Sequence, residues 1–146
     1  MSYTHKATGR FTVSAWSEEL VSDVDGTGKD SGGVYYPDRG ISQARVGYHC
    51  SGEVEGTSDV VYLLGYRGGD DLVLGLERFT GTVAGHEGSF VLRHEARHGA
   101  GAVTGTLSVV PGMGTGDLAT LTGEAELRIE GHSEDGYELV LHYDLG

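Results

Sequence analysis

The segment HEARH, His94 to His98, carries the residue types of a zinc-protease helix: two histidines four apart, with a glutamate beside the first. Two imidazoles share one zinc at about 2.1 Å only when a helical turn brings them onto one face. The flanking residues argue for a different element. Phe90, Leu92 and His94 alternate with Val91, Arg93 and Glu95 after the turn formers Gly85 and Gly88, which is the pattern of a strand leaving a hairpin. On a strand, His94 and His98 stand roughly 13 Å apart at about 3.3 Å per residue, too far to share an ion. Gly99 and Gly101 would interrupt a helix at once, and Thr104 holds the place of the third histidine of the longer motif. No metal and no cofactor are expected.

Other chemical groupings are weaker. GMGTGD, Gly112 to Asp117, has the glycines of a phosphate loop without its Lys-Ser or Lys-Thr ending, and reads as a turn. His49 and Cys50 fall on opposite faces of one strand, so they make a poor nucleophile and base, and Cys50 reads as a small packed side chain. Asp23, Asp25, Gly26 and Asp30 suggest a calcium loop but lack its glutamate; a solvated acidic loop accounts for them.

The elements that must position these residues are short strands. The chain has 146 residues with 26 glycines and 2 prolines, and the glycines punctuate runs rich in Val, Thr, Tyr and Leu. Strands are expected near Ala7 to Trp16, Ser42 to Val54, Ser58 to Arg67, Leu72 to Val83, Ser89 to Arg97, Ala102 to Val110, Glu124 to Glu130 and Tyr137 to Asp144. Eight antiparallel strands close a small β-barrel, wide enough for packed side chains or one small ligand. The fold class is therefore all-β, a single eight-stranded, lipocalin-like barrel domain over residues 1–146. Leu20 to Gly40 reads as a long loop near one mouth.

Charge narrows the partners. Ten basic against 22 acidic residues give a formal net charge of -12, which repels nucleic acid and anionic lipid surfaces. No apolar run approaches the roughly 18 residues needed to cross a bilayer, so no membrane partner is expected. A lone Cys50 and no charged-then-apolar leader make the cytoplasm the expected compartment.

Alternation then assigns faces. Ala125, Leu127 and Ile129, like Val103, Gly105, Leu107 and Val109, point inward from strands whose other residues are polar. The central strands are apolar on both faces. One carries Val60, Tyr62, Leu64, Tyr66, Val73, Glu77, Phe79, Phe90, Leu92 and His94, and its aromatics and the neighbouring Gly75 and Gly81 suit the lumen. The other carries Val61, Leu63, Leu72, Leu74, Leu76, Arg78, Val91, Arg93 and Glu95, an exposed apolar patch expected to join two copies into a homodimer.

Register brings a cluster together. A turn centred on Gly85 to Gly88 sets Phe79 opposite His94, Arg78 opposite Glu95 as a structural ion pair, and Glu77 diagonal to His94. A turn pairing Arg67 with Leu72 sets Tyr62 opposite Glu77. Tyr62, Glu77 and His94 then meet inside the barrel, where Glu77 or His94 suits an acid or base and Tyr62 a hydrogen-bond donor to an oxyanion. The same cluster also reads as a buried polar network that fixes register. Tyr66, Phe79, Phe90 and Leu92 are expected to line the apolar part of a ligand site, with Trp16 capping it or closing the core.

GLERFTGTVAGHEGSFVLRHE, then VVPGMGTGDLATLTGEA and a closing YELVLHYDL, resemble the bacterial domain-of-unknown-function family 3224 from about Gly52 to the C-terminus. That family is similar in fold to the allene oxide cyclases, and Gly114 to Gly116 also resembles the dirigent proteins. The resemblance implies a small barrel whose relatives bind hydrophobic molecules and, in some branches, fold them into rings. It implies no catalytic residues. Val24 to Gln43 is longer than the family pattern and is expected to shape one mouth. Two functions fit: a cofactor-independent cyclase or isomerase acting on a hydrophobic natural-product or polyketide-like molecule, and a noncatalytic barrel that binds such a molecule.

Overall fold

Positive backbone angles at paired turn positions decide how the strands connect. In the computed structural model, which describes residues 3–131, 133 and 135–146, Ala84 and Gly85 have φ of 48° and 85°, and Ala100 and Gly101 have 53° and 78°. Two successive positive φ values make the tight turn whose twist matches the strands on either side. These turns join β6 (Asp70–Val83) to β7 (His86–Gly99), and β7 to β8 (Ala102–Val109). Gly68 and Gly69 join β5 (Val54–Arg67) to β6 in the same way.

The remaining elements are β1 (His5–Asp23), β2 (Gly28–Ser31), β3 (Val34–Pro37), β4 (Arg39–Gly52), β9 (Thr115–Gly116), β10 (Leu121–Glu130) and β11 (Tyr137–Leu145). In the order β6-β5-β4-β1-β11-β10-β8-β7, with β7 pairing back onto β6, eight strands close an antiparallel barrel. The seam lies between β1 and β11, where His5 faces Tyr143 and Phe11 faces Tyr137. All eight expected strands are present, most of them longer than the apolar pattern indicates. Among the described residues, no helix is long and apolar enough to cross a membrane.

Leu20 to Gly40 differs from the expected loop. β1 stays paired with β4 as far as Asp23 opposite Gly40, through irregularities between Val13 and Ala15 and between Leu20 and Ser22. Most of this extension is exposed on both faces, so it carries no period-two apolar signal. The rest forms a β2–β3 hairpin. Tyr35 donates a hydrogen bond to Asp23 at 2.6 Å, and Arg39 holds Asp25 with both Nε and Nη2. Asp23 and Asp25, two of the three aspartates suggestive of calcium, thus hold Tyr35 of the hairpin and Arg39 of β4.

Lumen and surface divide along the expected faces. Val60, Tyr62, Leu64, Phe79, Phe90 and Leu92 are buried. Val61, Leu63, Leu72, Leu74 and Leu76 are exposed, whereas Val91 is buried at the end of β7 where β9 joins Ser89 and Gly88. Within β5 and β6, Gly56 and Gly81 face each other at φ of 151° and 155°. A Cβ on Gly81 would lie 2.0 Å from the carbonyl oxygen of Glu55. Gly81→Ala should therefore cost about 2 kcal/mol or more of stability, read from urea midpoints. An unchanged midpoint would show that the two backbones can separate freely there.

Candidate functional site

Gly75 lets two large rings from the strands on either side of β6 meet. It pairs with Tyr62 of β5 on one side and His94 of β7 on the other. A Cβ at Gly75 would lie 2.7 Å from Cδ1 of Tyr62, so the tyrosine ring occupies the space a side chain would take. The Tyr62 and His94 rings consequently sit edge to face, with centroids 5.1 Å apart. Two residues along β6, Glu77 points into the same space and accepts from His94, Nε2 to Oε1, at 2.7 Å. Glu77 is 6 % exposed and His94 3 %.

A chain of polar groups continues from this pair towards the barrel mouth. Nδ1 of His94 lies 3.4 Å from the Tyr62 hydroxyl, which lies 2.7 Å from the hydroxyl of Tyr48 on β4. With Glu77 ionised, its carboxylate only accepts, so Nε2 of His94 carries a proton. A neutral imidazole then presents the Nδ1 lone pair to Tyr62, and Tyr48 can donate to Tyr62. At 3.4 Å the histidine–tyrosine link is the long one, of the kind that ligand binding tightens.

Burial keeps the hydroxyls protonated. It pushes Tyr48 up to about 12 against a smaller lowering from the Tyr62 hydrogen bond, with the Glu77 charge adding to the rise. Tyr62 is raised further, first by burial, then by Tyr48 and Glu77. Cys50, the small packed side chain expected from sequence, is pushed up to about 12 by burial and then by Glu77, so it is a poor nucleophile.

Two spaces flank this chain. The inner one, about 20 Å³, is bordered by Cys50, Glu77, Leu92 and His94 among others and has room for about one water. The outer one is a half-open, largely apolar cleft of about 700 Å³ at the mouth, roofed in part by Lys29, Ser31 and Tyr36 of the inserted hairpin. Phe11, Tyr48, Tyr62 and Leu127 border both spaces and so form the partition between them. A separate depression of about 1030 Å³ across the outside of β8, β10 and β11 is lined by polar groups such as Glu124, Glu126 and Arg128. The mouth cleft, unlike that depression, has the apolar walls and few polar groups typical of small-molecule sites.

The expected site residues separate accordingly. Tyr62, Glu77 and His94 are brought together. Trp16 and Tyr66 line the mouth cleft, and Leu92 borders only the inner space. Phe79 and Phe90 face each other, centroids 5.2 Å apart, as core side chains that line neither space. The register differs from expectation: Phe79 is opposite Phe90 rather than His94, Arg78 is opposite Val91 rather than Glu95, and Tyr62 is opposite Gly75 rather than Glu77. Glu95 pairs with Arg93 on its own strand. His86 to Gly88 belong to β7, and Asp70 and Asp71 to β6, rather than to the turns, which shifts the β6–β7 pairing by four residues and the β5–β6 pairing by two. An even shift keeps every side chain on its face, so Glu77 remains diagonal to His94. Tyr48 went unnoticed, although the inward period of Ala44, Val46, Tyr48 and Cys50 points to it. HEARH lies on β7, with His94 sealed in the core and His98 at the mouth near Asp71.

The sequence profile of a protein of unknown function, DUF3224, matches residues 7–141. The chain belongs to the DUF3224 family. Among solved structures it is similar to a protein of unknown function from the DUF3224 family of Shewanella oneidensis MR-1, at 20 % identity and a TM-score of 0.65 over 97 % of each chain. No curated protein matches. At that identity the likeness establishes the barrel and leaves chemistry to the residues themselves.

The raised tyrosines give an alkaline signature. Tyr48 is neutral when protonated and holds its proton longer in the folded state. The stability it contributes is complete below its unfolded value near 10 and is lost as pH rises towards about 12. Two pH units correspond to at most about 3 kcal/mol. Absorbance at 295 nm should show some of the eight tyrosines ionising late, together with a loss of stability that is shallower in Tyr48→Phe. A folded protein whose tyrosines all ionise together near pH 10 would contradict this burial.

Proposed function

We propose that this barrel is a cofactor-independent isomerase or cyclase acting on an apolar small molecule held in the mouth cleft. The observation supporting this reading is the hydrogen-bonded series Tyr48, Tyr62, His94 and Glu77, whose two tyrosines line the mouth cleft while His94 and Glu77 border only the inner space. A hydroxyl, an imidazole and a carboxylate in this sequence form the arrangement by which a base is oriented and its cation stabilised.

The chemistry balances without an outside reagent. Tyr62 passes its proton to Nδ1 of His94 as its oxygen takes one from the ligand, and Glu77 stabilises the imidazolium formed. Reversal of the same transfers returns a proton at a second position of the ligand, which completes an isomerisation. Tyr48 donates to an oxygen that gains charge during the exchange. Because Tyr62 is so strongly held in its neutral form, the transfers through it are concerted rather than through a free phenolate. For a cyclisation, the aromatic walls contribute by holding the reactive conformer.

A noncatalytic barrel that binds the same class of molecule uses the same cleft. The 3.4 Å separation of Tyr62 and His94 favours this second reading, since the series is loose where proton transfer requires contact. A ligand recovered from the native source, identified by native mass spectrometry, and then incubated with the protein separates the two. Under the enzymatic reading, Glu77→Gln and Tyr62→Phe each lower turnover by about 100-fold or more while keeping the fold and most of the binding. Affinity changes with no product formed by the wild type leave the binding reading alone.

The reading includes a cytoplasmic homodimer, formed through the exposed Val61, Leu63, Leu74 and Leu76 of the outer face. Light scattering should give two chains per particle at micromolar concentration, and Leu74→Lys should shift the protein towards monomer. A wild-type monomer at that concentration would remove the outer face as an interface.

A further inference from the structure

The mouth cleft combines aromatic faces with fixed carboxylates. Trp16 and Tyr62 lie with ring centroids 6.4 Å apart, and Tyr36 and Tyr66 6.2 Å apart, all four lining the cleft. Glu18 ties two of these rings in place, accepting from the Tyr66 hydroxyl at 2.5 Å and from Nε1 of Trp16 at 3.3 Å. Asp71 lines the same space with its side chain 15 % exposed; its Oδ1 accepts from the Arg67 backbone, and its Oδ2 lies 3.8 Å from His98.

Aromatic faces attract cations through the ring quadrupole, and most strongly where water is excluded. A carboxylate that already orients the rings adds charge without further ordering of side chains. Among the described residues lining the cleft, Lys29 is the one lysine or arginine. It is exposed on β2, and its long stem carries the ammonium out towards water. The chain's net charge of -12 also draws cations towards any concave surface.

The geometry points to a ligand with an apolar body and a positively charged nitrogen, an organic amine or quaternary ammonium, with the cation at the rim between Trp16, Tyr66, Glu18 and Asp71. This rests on the reading of the mouth cleft as a small-molecule site and names the class of molecule it takes. With the ammonium at the rim, the remainder of the ligand packs against Tyr48 and Tyr62, which line the same cleft. Recognition and proton transfer thereby fall at opposite ends of one molecule.

Three probes with one body test it: 4-phenylbutyl-trimethylammonium, the neutral isostere with tert-butyl in place of trimethylammonium, and 5-phenylpentanoate. Trp16 is the only tryptophan in the chain, so its fluorescence reports occupancy at the rim, with calorimetry as a second measure. The ammonium should bind at least tenfold more tightly than the isostere and the carboxylate more weakly than both. The advantage should shrink with added salt and fall several-fold in Glu18→Gln and Asp71→Asn. An isostere that binds as tightly as the ammonium would overturn the cation preference and leave the apolar-ligand reading standing. Failure of all three to bind at millimolar concentration would overturn both.

Discussion

A carboxylate inside a barrel must be answered by its neighbours, and Glu77 is the residue around which this interior is arranged. Removing a charge from water without partners costs far more than a small domain has in reserve. The imidazole of His94 supplies the partner, but it reaches Glu77 only because the two stand diagonal on adjacent strands. Tyr62 then packs edge to face with the imidazole, and it fits only because Gly75 leaves a gap between them. Tyr48 satisfies the Tyr62 hydroxyl in turn. Each member of the series is thus required by the one before it, starting from a single buried negative group.

The same dependence couples stability to function. As a network, the series holds β4, β5, β6 and β7 in one register, because a slip of one residue would turn Glu77 to solvent. As geometry, it places the His94 imidazole behind the two tyrosines that line the mouth cleft. The partition of Phe11, Tyr48, Tyr62 and Leu127 serves both purposes: it separates the carboxylate from the mouth and sets two tyrosines against the cleft.

Much of this was legible because side-chain direction on a strand has period two. Faces could be assigned from Tyr62, Glu77, Phe79, Leu92 and His94 without knowing any pairing, and the even error in register left them on those faces. The β6–β7 register was hidden by Ala84, and the β5–β6 register by Asp70 and Asp71, which belong to β6 and not to the turn. Alanine at positive φ is disfavoured, so Ala-Gly lacks the turn signal that Asn-Gly carries. Residues His86 to Gly88 were consequently read as turn when they are strand. The extension of β1 past Trp16 was hidden for a different reason: a ribbon exposed on both faces has no apolar alternation to read. The mouth cleft depends on that extension and on the β2–β3 hairpin, so the part of its lining supplied by Glu18, Lys29, Ser31 and Tyr36 could not be inferred from periodicity.

The closure of the barrel has an unequal division of labour. The polar series comes from β4, β5, β6 and β7, which are successive along the chain and joined by short connections, so their pairing closes only small loops. The seam of β1 with β11 joins His5 to Tyr143, nearly the full length of the chain, and carries the largest loop entropy. Phe11, Leu127 and Leu139, on β1, β10 and β11, supply apolar wall to the inner space and no polar group. A half-formed sheet of the four polar strands would keep Glu77 in contact with water. Its dehydration is therefore tied to the most distant pairing in the molecule, and Glu77 and His94 acquire their low-dielectric surroundings only when the two ends of the barrel ribbon meet.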